Sequence, residues 1–364
     1  MGGMDFIHMP PIAARLREPL RAALRGERAV WPDPLDDGEL RALREHGVVP
    51  LVYAAARLPQ LQREALGAAA TEGLRLRDLR SLLELLEDAG VAPLIVKGSA
   101  LAYDLYERPE LRPRGDTDLL IADADRERVR ALLAAQGFDE RLTSGDDHGV
   151  RQTTFVRRDR FGFEHAYDIH HAITNSAVFA DALRYEDLVA RARPLPAIAE
   201  RARGLAYPDA LLLACIHRVA HHHDSDRLIW LVDIALLWQA MSAAEQAEFW
   251  RRAAAARVVA VCERSLELTA EWTGLRFTPA REVLGTIDEQ EPSRVFLDRG
   301  ASYARITATN LRALPLRQRL QRLRQLAFPP RAYMRQQFGR RPLAAMYLVR
   351  ALRGMARLFR RVGT

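Results

Sequence analysis

The 364-residue sequence predicts an α/β (α+β) fold, with a core built on a small mixed sheet and helical regions on both its N-terminal and C-terminal sides. Three observations predict it. Leucines recur at helical spacing up to Ala89, short apolar runs bounded by turn residues replace them from Val91, and strand signals vanish from Pro208 onward. The expected divisions are a helical region over 1–90, the core over 91–175, and a helical domain with a basic tail over 176–364.

The first helices are expected over Ile12 to Leu24, Glu39 to Glu45 and about Leu61 to Ala89, where Leu74, Leu76, Leu79, Leu82, Leu83 and Leu86 keep the period and Gly90 ends it. In the core, Leu94 to Lys97 reads as a strand, Ser99 to Tyr106 as a short helix and Asp116 to Ala122 as a strand. Asp125 to Gln136 reads as a helix stopped at Gly137-Phe138. Gln152 to Val156 and Phe163 to His171, separated by the polar turn Arg157-Arg158-Asp159-Arg160, read as a hairpin. Helical periodicity then runs through Leu211 to His221, Leu228 to Gln239, Ala243 to Ala255 and Val258 to Trp272. Pro329-Pro330 separates a helix around Arg317 to Leu326 from a last amphipathic segment, Leu343 to Leu358.

Composition excludes several classes. A hydrophobic content of 49% without low-complexity blocks argues against a disordered scaffold. Cys215 and Cys262 both fall in apolar helical runs, so they offer neither a disulfide framework nor a cysteine metal site. No apolar run approaches the length of a bilayer span, and a cytoplasmic location is expected. The net charge of +7 raises the question of nucleic acid, but much of the excess is C-terminal, with no Asp or Glu after Asp298. A tail of that kind attracts RNA or an anionic membrane surface; for the segment from Leu343, docking of its apolar side on the helical domain is the expected arrangement.

Lys97 is the only lysine; the other 53 basic residues are arginines. Arginine serves solvated surface charge equally well, whereas a compact ammonium suits a point contact with phosphate. Lys97 ends the run Leu94-Ile95-Val96 and is followed by Gly98 and Ser99. Glycine permits close backbone approach, and a serine opening a helix presents free amides to an anion. Lys97, Gly98 and Ser99 are therefore candidate nucleotide-binding residues. Asp116 and Asp118, spaced i, i+2 at a strand start, leave one face roughly 7 Å apart. Carboxylates so placed can share two divalent ions about 4 Å apart, and hard oxygen ligands suit Mg²⁺. Such a site wants a third acid on a neighbouring strand, and Asp168, in His165-Ala166-Tyr167-Asp168-Ile169-His170, is the candidate. Asp116, Asp118 and Asp168 are thus the expected catalytic and metal-binding set.

A second cluster comprises His217, His221, His222 and His223 with Asp224 and Asp226. The i, i+4 pair His217 and His221 has the spacing that suits zinc. The favoured reading instead has the cluster cap a helix and line the cleft opposite the catalytic strand. His170 belongs to that cleft, and Asp233 on the next helix orients a histidine or Arg227.

Together, Lys97-Gly98-Ser99-Ala100-Leu101 through Tyr106, Arg112, Asp116-x-Asp118-Leu119-Leu120-Ile121 and Tyr167-Asp168-Ile169-His170 resemble the DNA polymerase β-like nucleotidyltransferase superfamily. More narrowly, with His217 to His221 and Arg227 to Ala235, the chain resembles the bacterial uncharacterised nucleotidyltransferase family. The likeness spans roughly Leu94 to Trp238. It implies a nucleotidyltransferase core that moves a nucleoside monophosphate from an NTP to an acceptor, with pyrophosphate leaving and two Mg²⁺ ions as cofactors. Gly98 and Ser99 match the triphosphate motif, Asp116 and Asp118 the metal pair, and Asp168 the third acid. The interval from Ser99 to Asp116 is longer than is usual in the superfamily. The acceptor is left open among a small molecule, a protein and RNA. Alternatives are a noncatalytic nucleotide- or RNA-binding protein on the same fold, and a toxin-type nucleotidyltransferase acting on RNA or protein.

Overall fold

The computed structural model describes residues 9–141, 152–174, 176–180, 182–298, 300–328, 334–335, 338–339 and 341–358. Four helices come first: α1 (Ala14–Leu24), α2 (Asp37–Glu45), α3 (Val49–Ala56) and the 30-residue α4 (Pro59–Asp88). Asp36 caps α2 by accepting from the Glu39 amide, while Glu39 accepts from the Asp36 amide. The core follows as β1 (Leu94–Val96), α5 (Lys97–Asp104), β2 (Thr117–Leu120), α6 (Arg126–Ala135), β3 (Asp139–Arg141), β4 (Gln152–Arg158) and β5 (Glu164–His170). After α7 (Tyr185–Arg191), two very short strands, β6 (Arg193–Pro194) and β7 (Arg203–Gly204), return to the sheet.

Among the described residues the sheet has seven strands in the order β3-β4-β5-β2-β1-β7-β6. It is mixed: β2 pairs in parallel with β5 and β1 with β7, and the other pairings are antiparallel. The expected hairpin is present as β4 and β5. The sheet continues to Gly204, beyond the expected core limit at 175, because β7 pairs with β1.

Strand alternation sorts the side chains between two layers. Ile95, Leu119, Tyr167 and Ile169 face a core completed by Leu79, Leu82, Leu83 and Leu86 of α4 and by Val129 and Leu133 of α6. Leu94, Val96 and Leu120 point the other way, into a core shared with α8 (Tyr207–Ala220), α9 (Leu228–Ala240), α10 (Ala243–Ala255) and α11 (Val259–Thr273). The N-terminal helices pack on these same elements, through Leu16, Leu20 and Leu43 against Leu228, Ile229, Leu231 and Trp272. The three sequence regions therefore share their cores.

The chain continues through α12 (Ala280–Leu284), α13 (Tyr303–Ala313), α14 (Leu316–Ala327) and α15 (Leu343–Leu358). No helix among the described residues is long and apolar enough to cross a membrane. Met346 of α15 is buried, in line with the expected docking, but Leu348 and Leu352 are exposed. Docking of the apolar side is therefore partial. Pro329-Pro330, expected to separate the last two helices, lies outside the described residues.

Candidate functional site

The alternation that sends Leu120 toward α8 also turns Asp118 to that side, and the same holds for Asp168 and His170 on β5. The parallel register sets Asp118 beside Asp168 and Leu120 beside His170, so residues fifty positions apart in sequence become neighbours. Ligand atoms of Asp118, Asp168 and His170 all lie within 4.8 Å of one another, and all three residues are buried. Thr154 Oγ1 donates to Asp168 Oδ1 at 2.6 Å, and the Gln152 amide donates to Oδ2, so β4 fixes this carboxylate. Asp116 precedes β2, is only half-buried and stands outside the group of three.

Lys97 opens α5 with φ of 56°, a left-handed conformation that costs a non-glycine residue about 1–3 kcal/mol and is often found at functional sites. Its Nζ lies 2.6 Å from Asp118 Oδ1 and 3.4 Å from His170 Nε2, which is itself 2.8 Å from the same Asp118 oxygen. Gly98 and Ser99 are both buried in the first turn of α5, where backbone N–H groups have no intrahelical acceptor. The Arg112 guanidinium lies against Gly98, and a Cβ on Gly98 would fall 2.9 Å from three of its atoms. The Ser99 hydroxyl accepts from Arg114 at 3.1 Å, and Arg114 is held in turn by buried Glu72 at 2.7 Å. Two arginines thus brace the turn that follows β1.

This contact gives a direct test of the turn. Arg112 is locked by Asp233 and cannot yield as a free side chain would, so Gly98→Ala should lower stability by about 1–3 kcal/mol. It should also weaken NTP binding. Unchanged melting temperature and unchanged NTP affinity would show that the guanidinium does not shape this turn.

The electrostatics separate the acids. Burial disfavours charge on Asp118, but the Lys97 ammonium and the His170 hydrogen bond outweigh it and hold that carboxyl well below the usual range. Asp168 is pushed up to about 6, first by burial, with Asp116 and Asp118 adding repulsion against the opposing Thr154 hydrogen bond. Asp116 is also raised, by burial and then by Asp118. Burial and Lys97 keep His170 below its ordinary value, hence neutral near pH 7. Two carboxylates and a neutral imidazole, with negative charge clustered at cost, fit a divalent cation. His170 would ligate through Nε2 only as the tautomer protonated at Nδ1.

Asp168 also sets a pH dependence. In the native protein its carboxyl holds a proton up to about pH 6, whereas in the unfolded chain it releases one near its ordinary 3.8. Its contribution to stability is therefore complete below about pH 4 and lost as pH rises through 6. In metal-free buffer, Asp168→Asn should raise the melting temperature at pH 7–8 by removing a buried unfavourable charge, with the gain gone at pH 4. Calorimetry across that range checks it, and a gain of equal size at both ends would contradict the assignment.

The site opens on a cavity of about 430 Å³ between the sheet and the helical region. Asp116, Asp118, Asp168, Lys97, Gly98 and Ser99 line it, and so do His217, His221, His222 and Asp233 from across the cleft. The spacing of Ala210, Leu213, Ala214, His217 and His221 on one face of α8 explains why that helix supplies the wall. The His217 and His221 rings stack at 5.3 Å, and His217 Nε2 is 3.2 Å from His222 Nε2. Burial and Lys97 lower His217 well below its ordinary value and His221 to about 4. His222 falls to about 3, through burial and then His221. All three are neutral near pH 7. Neither His217 nor His221 belongs to a gathered ligand set among the described residues, so the zinc spacing finds no third ligand.

Asp233 corrects one expectation. It orients neither a histidine nor Arg227; it pairs with Arg112 through contacts of 2.7–2.9 Å and accepts from the Tyr106 hydroxyl at 2.7 Å. The sequence reading also missed Glu72, Arg114, Gln152 and Thr154. Of these only Glu72 leaves a signal, as an acid on the leucine-bearing side of α4. Arg227 lines the cavity over the Trp230 ring at 5.1 Å and makes no ion pair among the described residues. Its buried Nε has no hydrogen-bond partner among the described residues.

A braced glycine-serine turn thus faces a carboxylate and imidazole cluster on a mixed sheet between helical layers. The chain belongs to the uncharacterised nucleotidyltransferase family, whose model matches residues 36–274, about two thirds of its length. That span takes in α2 through α11, hence the whole sheet and every residue of the site. No curated protein matches the chain.

Proposed function

We propose that the chain transfers a nucleoside monophosphate from an NTP to an acceptor hydroxyl, with pyrophosphate leaving. The observation that carries this reading is the convergence of Asp118, Asp168 and His170 within 4.8 Å, with Asp118 and Asp168 lining the same cavity as Lys97, Gly98 and Ser99. The amides of the α5 first turn bind the triphosphate, assisted by the positive end of the helix. Lys97, paired with Asp118 in this structure, turns its ammonium to the phosphates and steadies the charge that develops on the leaving pyrophosphate. Asp168, held by Thr154 and Gln152, accepts the acceptor's proton as its oxygen bonds to the α-phosphorus and the bond to the bridging oxygen breaks.

Asp118 and Asp168 would hold the divalent ion, with His170 completing the set and Asp116 close by for a second. Bound there, the ion supplies Lewis-acid stabilisation to phosphoryl oxygens. The neutral His217, His221 and His222, with Trp230, form the wall that excludes water and packs against the substrate.

The test is to incubate the full chain with Mg²⁺ or Mn²⁺ and each α-labelled NTP, alongside separated small-molecule, protein and RNA fractions. Pyrophosphate release coupled to label on one fraction is expected, and it identifies the acceptor class. NTP binding without pyrophosphate release in any fraction would instead support the noncatalytic reading.

A further inference from the structure

The charge of this chain is divided by position. Residues 299–364 carry 16 arginines and no Asp or Glu, so the remainder has a net charge of −9 although the whole is +7. Within the basic part, α14 leaves Leu316, Leu320 and Leu323 at 68%, 59% and 44% exposure. The i, i+4, i+7 spacing puts the three on one face. Exposed Arg317 and Arg324 border that stripe on one side, Arg319 lies on the other, and Gln318 and Gln321 take the opposite face. Phe328 at the end of α14 is also exposed, and its ring meets Tyr347 of α15 at 6.1 Å. Leu348 and Leu352 of α15 are exposed as well.

We propose that α14 and α15 form a peripheral membrane-binding surface that lays this leucine stripe into an anionic lipid headgroup layer. Two features have to be satisfied at once. An RNA would neutralise the arginines but leave the leucines in water. A second copy docked stripe to stripe would cover the leucines but oppose two arginine-rich surfaces that contain no acid. An anionic bilayer surface satisfies both, since leucines enter the acyl boundary while bordering arginines reach phosphates. The proposal is independent of the nucleotidyltransferase reading.

The experiment uses the full chain with large unilamellar vesicles of phosphatidylglycerol and phosphatidylcholine in equal parts, against phosphatidylcholine alone. Co-sedimentation is expected only with the anionic vesicles and should weaken as salt is raised. The variant Leu316→Asn/Leu320→Asn/Leu323→Asn keeps every charge and should lose at least ~10-fold in vesicle affinity. Arg317→Gln/Arg324→Gln should lose the salt-dependent part. Leu348→Asn/Leu352→Asn, on the second helix, gives an independent arm should the triple variant fail to fold.

Three results would overturn the proposal. Failure of the wild-type chain to bind anionic vesicles is one, whether or not it binds a single-stranded RNA homopolymer. Leucine variants that bind as the wild type does would reduce the contact to charge alone. A wild-type dimer that the leucine variants dissociate would assign the stripe to a second copy.

Discussion

Asp118→Asn is expected to abolish metal-dependent nucleotidyl transfer, with a loss on the order of 1,000-fold or more, equivalent to about 4 kcal/mol of barrier. Asp118 is at once the carboxylate paired with Lys97, the hydrogen-bond partner of His170 and one of the three gathered ligand groups. Its charge is firmly held, because Lys97 and His170 keep its carboxyl ionised despite burial. An asparagine can still accept from Nζ, and removing one negative charge relieves Asp116 and Asp168. That relief is opposed by the loss of the ionised partner of the largely buried Lys97, so the melting temperature should fall modestly while the chain stays folded. The measurement pairs single-turnover pyrophosphate release with calorimetric melting. Transfer within about 10-fold of the wild type would remove Asp118 from the chemistry.

Several parts of this site were legible because they depend only on local period. Asp116-x-Asp118 and Asp168-x-His170 announce same-face pairs on strands, and Lys97-Gly98-Ser99 announces a turn that meets an anion. What the period does not carry is register. Asp118 meets Asp168 only because β2 and β5 pair in parallel, a contact between segments that also sandwich α6, β3 and β4. Ligand partnership therefore passed to His170, which sequence alone placed in the cleft, while Asp116 fell just short of the strand. The edge strands β3 and β6, and β7 beside β6, were invisible for a different reason. β6 and β7 have two residues each, too few to show any alternation, and Asp139-Glu140-Arg141 of β3 is wholly charged. Likewise, α3 is apolar nearly throughout, so no polar face marked it as a helix. The pattern of α14 and α15 was visible, but an amphipathic helix reads the same whether its apolar stripe is covered or bare.

Contacts between side chains far apart in sequence were the least legible, and one of them underlies the last expected result. Arg112 and Asp233 are 121 residues apart, and their side chains are 8% and 5% exposed. Asp233 raises the guanidinium's affinity for its proton, and burial with Asp233 drives the Tyr106 hydroxyl well above its ordinary value. Asp233→Ala would strand a buried cation and a buried hydroxyl together. The expected cost is about 3–5 kcal/mol, a large share of the roughly 5–15 kcal/mol that holds a typical domain folded. A buried pair can often be replaced by apolar residues without that cost. Arg112→Met/Asp233→Leu should therefore recover most of the lost stability, whereas NTP binding should not recover, because the group braced against Gly98 is gone. Calorimetric melting and NTP titration of the single and double variants separate the two effects. If Asp233→Ala melts within about 2 °C of the wild type, the pair does not join the helical region to the phosphate turn.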